Sequence, residues 1–152
     1  MPIADVAGYN QAASDLQYRY NTDRATNAYG RFLSQQRGSR QLSDLSTGFN
    51  RQLPSYRAGL GARGMVGPGI NSGVMRRSMA NFLGDYARDY GRAQQDTMQE
   101  AQNYDLQAAQ LDAYFNNSLA SIEQQKQADI ANAAMAIEAL RPYLGSLGGG
   151  IS

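Results

Sequence analysis

Two pairs of carboxylates stand four residues apart in this chain, Asp85 with Asp89 and Asp96 with Glu100. On a helix that spacing brings both acids to one face, and helical bundles hold metal ions on acids spaced in this way. Such bundle sites also draw on Glu-x-x-His motifs, and this chain has no His, no Cys and no Trp. Thiol, imidazole and cysteine–zinc chemistry leave with them. No Ser, no Tyr and not the single lysine, Lys126, has a recognisable base partner. We therefore expect no catalytic residue, no metal site and no cofactor, and the chain reads as a non-enzyme.

Two further stretches invite a binding role. Gly59 to Gly73 holds six glycines and Pro68 in fifteen residues. No hydrophobic strand precedes it and no Gly-Lys-Ser/Thr follows, so it is not a nucleotide-binding loop. It reads as a hinge or a subunit-contact loop. Met65, Val66 and Ile70 inside it are apolar, and we expect them to pack against something. The second stretch is basic: Arg63, Arg76, Arg77, Arg88 and Arg92 form a set that could neutralise nucleic-acid phosphates. Asp85 and Asp89 are interleaved with it and offer pairs to Arg88 and Arg92, so a solvated or interface face is the simpler reading.

The elements that must carry these residues are helical. The chain has 152 residues, a net charge of +1 and a polar balance set by Gln, Asn and Ala rather than by charge. Phe and Tyr make up 9% of the chain, too little to fill a wide two-faced core. Residues 1–58 read as an N-terminal helical arm, with an apolar stripe at Tyr9, Ala13, Leu16, Tyr20, Ala25, Ala28 and Phe32, then Leu42, Leu45, Phe49 and Leu53. Gly38 is its expected break, and Pro54 is expected to end it. Residues 59–73 form the Gly-rich connection, with Asn71 or Ser72 capping the next helix.

Residues 74–141 then read as one long helix of roughly 100 Å, stopped by Arg141-Pro142. Its stripe runs Met75, Met79, Phe82, Tyr86, Tyr90, Ala93, Thr97, Ala101, Tyr104, Ala108, Leu111, Phe115. It resumes as Leu119, Ile122, Lys126, Ile130, Ala133, Ile137, Leu140. Steps of three and four with extra fours describe a nearly straight helix with stutters rather than a tight zipper. Such a helix is not stable alone in water and needs the first arm, other subunits or both. Residues 142–152 read as a flexible C-terminal tail. The fold class expected is all-α: an elongated long-helix hairpin, or an open helical rod, completed by oligomerisation.

Met65, Val66, Ile70, Tyr86, Tyr90, Tyr104, Leu111, Phe115, Ile122, Ile130 and Ile137 are the expected interface residues. Tyrosine suits that role because it combines contact area with a polar end. The Gln runs at Gln94-Gln95, Gln107, Gln110, Gln124-Gln125 and Gln127 read equally as cross-helix hydrogen-bonding groups and as solvent-facing filler. Charge is uneven: residues 1–58 and 59–95 each carry +3, and residues 96–152 carry −5. An antiparallel hairpin would set the basic arm beside the acidic end, and so would head-to-tail contact between subunits. No stretch is apolar enough for a conventional membrane span, and Met1-Pro-Ile-Ala-Asp5 does not open a secretory signal.

Gly61-Ala-Arg-Gly-Met65, Asn71-Ser-Gly-Val-Met-Arg-Arg-Ser-Met-Ala80 and Phe82-Leu-Gly-Asp-Tyr-Ala-Arg-Asp-Tyr90 carry a resemblance. Over about residues 59–130 the chain resembles small Ala/Gln-rich helical virion proteins of tailed bacteriophages, of the head–tail joining, minor tail or internal ejection type. The resemblance implies a structural role in the virion, at the portal, neck, tail or internal core, within the genome-delivery apparatus. It implies self-association and contact with other virion proteins such as portal or tail components, and it carries no catalytic residue. The alternative is a nucleic-acid-contacting or membrane-active protein ejected with the genome.

Overall fold

The computed structural model describes residues 6–64 and 73–147, and the side chains as far as residue 143. Two helices account for them: α1, Val6–Ala62, and α2, Gly73–Leu147. The fold is an all-α helical hairpin, and no strand occurs among the described residues. Of the two arrangements compatible with the sequence, the hairpin is the one adopted. The loop residues Met65, Val66 and Ile70 and the expected caps Asn71 and Ser72 lie outside the described residues.

Both helices run past the points where breaks were expected. α1 continues through Gly38 and Pro54 to Ala62. Proline removes one backbone N–H and crowds the carbonyl four residues back, here that of Asn50. Pro54 and Asn50 both sit on the exposed side of α1, where water can take the freed carbonyl. Beyond Pro54, the helix is held from the other side: Tyr56 stacks on Phe82 with ring centroids 4.4 Å apart. α1 ends where Gly64 turns left-handed, at φ +70°, with its N–H donating to the Gly61 carbonyl at 3.0 Å. Glycine takes that conformation without the clash a side chain would meet. α2 likewise passes Pro142 and reaches Leu147.

The chain divides into two compact units, Met1–Thr26 with Gln107–Ser152, and Asn27–Leu106. We call them the terminal unit and the turn unit. In each, a segment of α1 lies against a segment of α2.

In the turn unit the seam is aromatic at one end and nearly empty of side chains at the other. Phe49 stacks between Phe82 and Tyr86, with centroid distances of 5.4 and 4.1 Å. The Tyr56 hydroxyl also donates to the Ser78 carbonyl at 3.0 Å. Further along α1 the seam positions are Leu42, Gly38, Ser34 and Gly30. A methyl group at Gly38 would collide with the Thr97 side chain, and one at Gly30 would come within 2.7 Å of the Tyr104 ring. Ser34, 1% exposed, donates its hydroxyl to Glu100. The absent side chains are thus what lets the two helices approach here.

In the terminal unit the seam is closed by polar groups crossing over one ring stack. Tyr20 stacks on Phe115 at 4.4 Å. Its hydroxyl donates to Asp112 at 2.7 Å, and Arg24 meets the same carboxylate at 3.3 Å. Tyr9 donates to Asp129 at 2.5 Å, and Lys126 donates to Asn10 at 3.1 Å.

Candidate interaction surfaces

The stripe expected on α2 faces α1 over most of its length. Met75, Met79, Phe82, Tyr86, Tyr90, Thr97, Ala101, Tyr104, Ala108, Leu111, Phe115, Leu119, Ile122 and Lys126 are half-buried, and Ala93 is buried. Six of the expected interface residues, Tyr86, Tyr90, Tyr104, Leu111, Phe115 and Ile122, therefore belong to the seam within the chain. Ile130 and Ile137 are exposed, as is Leu140 on the same stripe.

The stripe expected on α1 holds at Tyr9, Ala13, Leu16 and Tyr20, and again from Leu42 to Leu53. Between them the seam lies on a different face. Ala25, Ala28 and Phe32 face outward, and the seam takes Asn27, Gly30, Ser34 and Gly38 instead. Reading by apolarity alone favoured the wrong face, because the positions opposite Tyr104 and Thr97 have room only for small groups. A signal for the right face was present: Leu16, Asn27, Gly38, Phe49 and Leu60 stand eleven apart. So do Phe82, Ala93, Tyr104, Phe115 and Lys126 on α2. An eleven-residue repeat returns to nearly the same face of an α-helix every three turns, with a slow drift that two helices sharing the repeat follow together.

Outside the seam, large apolar side chains lie in water. On α1 they include Tyr18, Tyr29 and Phe32; on α2 they include Leu83, Met98, Leu106 and Tyr114. Two open grooves flank the seam, one in each unit. In the turn unit a groove of about 740 Å³ has Leu45, Phe49, Phe82 and Tyr86 on its floor and Arg40 and Asp89 among its lining. In the terminal unit a groove of about 780 Å³ is lined by Leu16, Tyr20, Leu111, Phe115 and Ile122 with Arg19. The Gln94 and Gln95 side chains lie with Met98 and Gln102 on an open face of α2, and Gln107, Gln110, Gln124, Gln125 and Gln127 are exposed as well.

All five arginines of the basic set are exposed. Arg88 is paired with Asp85 at 2.8 Å, as its spacing predicted. Arg63, Arg76, Arg77 and Arg92 are exposed, with Arg77 donating to the Gly73 carbonyl at 3.3 Å. Arg24 and Arg31 cross between helices to Asp112 and Asp105, so the basic arm does meet carboxylates of α2.

The hydrogen bond to Asp112 holds the Tyr20 phenol above its ordinary pKa, helped by burial and by the Asp112 charge and opposed by Arg24. Of the two carboxylate pairs, Asp85 faces Arg88 and Glu100 accepts from Ser34. No group of three potential metal ligands occurs among the described residues. Among them, too, no helix is long and apolar enough to cross a membrane. No protein-family model matches the chain, and neither a curated protein nor a solved structure matches it.

Proposed function

We propose that this chain is a non-enzymatic structural protein of a tailed-phage virion. It packs helical hairpins at the portal, neck or tail, or in the internal core, as part of the genome-delivery apparatus. The observation that carries this reading is the thinness of the seam. Among the described residues, Leu60 and Ala93 are the buried hydrophobic side chains, and Tyr18, Tyr29, Phe32, Met98, Leu106 and Tyr114 remain outside. The chain exposes 11577 Å². A compact monomer of this mass would expose about 7,600 Å². A hairpin with so little interior gains its stabilising burial by packing on neighbours, as subunits of symmetric assemblies do. The resemblance over residues 59–130 supplies the kind of assembly.

The test is mass spectrometry and electron microscopy of particles made by the genome that encodes the chain. The expected result is a fixed copy number, with the outward apolar side chains of α1 and α2 against other subunits. Particles that lack the chain end the proposal. So does purified chain that sediments as a stable monomer and associates with no particle component.

A further inference from the structure

Charge is distributed between the units more sharply than along the chain. The turn unit carries ten arginines against six acids, +4, and the terminal unit four basic residues against seven acids, −3. The excess in the turn unit is concentrated at its closed end. From residue 45 to residue 84 there is no Asp or Glu, and there are five arginines: Arg51, Arg57, Arg63, Arg76 and Arg77. All five are exposed. Arg51, Arg57 and Arg63 make no ion pair among the described residues. The Tyr56 hydroxyl meets the Ser78 carbonyl, so Arg57 and Arg77, each next in sequence to one of these, sit at the same level of the seam.

We infer that this acid-free arginine end binds the phosphate backbone of duplex DNA, without reading its sequence. Three considerations favour that partner. All five cations are arginine, whose planar fork matches phosphate oxygens two at a time. A duplex offers one negative charge per about 1.7 Å, a density that a helix end ringed by cations can meet in any orientation. A second copy of this chain is the less fitting partner, because three of the seven acids of its acidic unit are already engaged. Asp112 holds Tyr20 and Arg24, Asp129 holds Tyr9, and Glu138 holds Arg141 at 3.2 Å.

The arginines ring the end rather than line one face. Steps of six residues, as from Arg51 to Arg57, turn a helix by about 240°. A straight duplex therefore engages two or three arginines at once. Each phosphate neutralised contributes about −0.9 to the slope of log K against log salt, so the slope is roughly −2 to −3. Raising salt from about 50 to about 200 mM then weakens binding roughly ten- to forty-fold. The inference does not depend on where in a particle the chain resides.

The experiment is fluorescence anisotropy of the full chain with two labelled duplexes of unrelated sequence, across that salt range. The expected result is equal affinity for both duplexes and the stated salt dependence. The combined variant R57Q/R63Q/R77Q should flatten the slope to below about 1, with helicity by circular dichroism unchanged. R19Q/R141Q, which removes two arginines of the terminal unit, should leave it as it was. No binding at low salt overturns the inference, as does a slope that the triple variant leaves intact. Binding to vesicles of anionic lipid with none to duplex overturns it in favour of a membrane surface. Salt-dependent self-association with no DNA binding overturns it in favour of a second copy.

Discussion

The two units close the same kind of seam by different means. In the terminal unit, hydroxyl, guanidinium and ammonium groups of α1 and α2 reach across one ring stack to Asp112, Asp129 and Asn10. In the turn unit, rings fill one end of the seam, and at the other glycine and serine let the helices touch. Both solutions follow from α2. Its stripe presents Tyr104 and Thr97 to the middle of α1, and a residue with any bulk opposite them would hold the helices apart. Opposite Leu111 and Phe115 the stripe meets Leu16 and Tyr20, which are large enough to reach, and the Tyr20 hydroxyl finds Asp112 at the margin. Polar crossings at half-exposed positions are worth little each, whereas close packing is sensitive to a single methylene. The turn unit should therefore be the part that substitution can damage most.

The contrast can be broken from its strong side. Gly38→Leu forces the helices apart where Thr97 sits against the glycine, and should cost about 3 kcal/mol, read as a lowered urea midpoint. Phe49→Ala removes the ring between Phe82 and Tyr86 and should cost about 2 kcal/mol on the same measurement. A midpoint unmoved by either would mean the seam of the turn unit is not the source of its stability. Two glycines sharpen the comparison by sign. Gly84 and Gly91 lie on the outside of α2 with nothing near them, so alanine there meets no neighbour. Each should gain up to about 1 kcal/mol of helix stability, opposite to Gly38 in the same unit. The smallest effect belongs to the terminal unit. Because the folded state raises the Tyr20 pKa, it holds that proton more tightly than the unfolded chain does. The stabilisation is complete below the ordinary phenol value near 10 and fades as pH rises through the raised one. Thermal melts at about pH 8 and pH 11 should show this alkaline loss, and Tyr20→Phe should diminish it.

Much of this arrangement can be read from the residues. The stripe of α2 from Met75 to Lys126 was legible because apolarity and burial coincide there. On α1 they part company between Tyr20 and Leu42. The inward positions are Asn27, Gly30, Leu33, Ser34 and Gly38, mostly small or polar, while Phe32 and Tyr29 face water. A stripe found by hydrophobicity has no means of recognising a seam that requires absence of bulk. Pro54 departs from the sequence pattern for a related reason. Local propensity stops a helix at Pro54, but stacking of Tyr56 on Phe82 carries it further. Among the candidate binding residues, sequence singled out Arg63, Arg76 and Arg77, and paired Arg88 with Asp85 as the structure has it. It overlooked Arg51 and Arg57, which join them only when α1 is folded back beside α2.

The eleven-residue spacing on both helices has a consequence for how such a chain can change length. Eleven residues make slightly more than three whole turns and about 16 Å of rise. Adding or removing one such block from each helix, at matched levels, would keep every remaining side chain opposite its original partner, because both helices follow the same repeat and drift together by about a twentieth of a turn. Blocks of seven would drift by a similar angle in the opposite sense and so leave the repeat that the two helices share. A protein on this frame is therefore a ruler with discrete graduations, able to fit a different span in steps of three turns while its local contacts stay as they are.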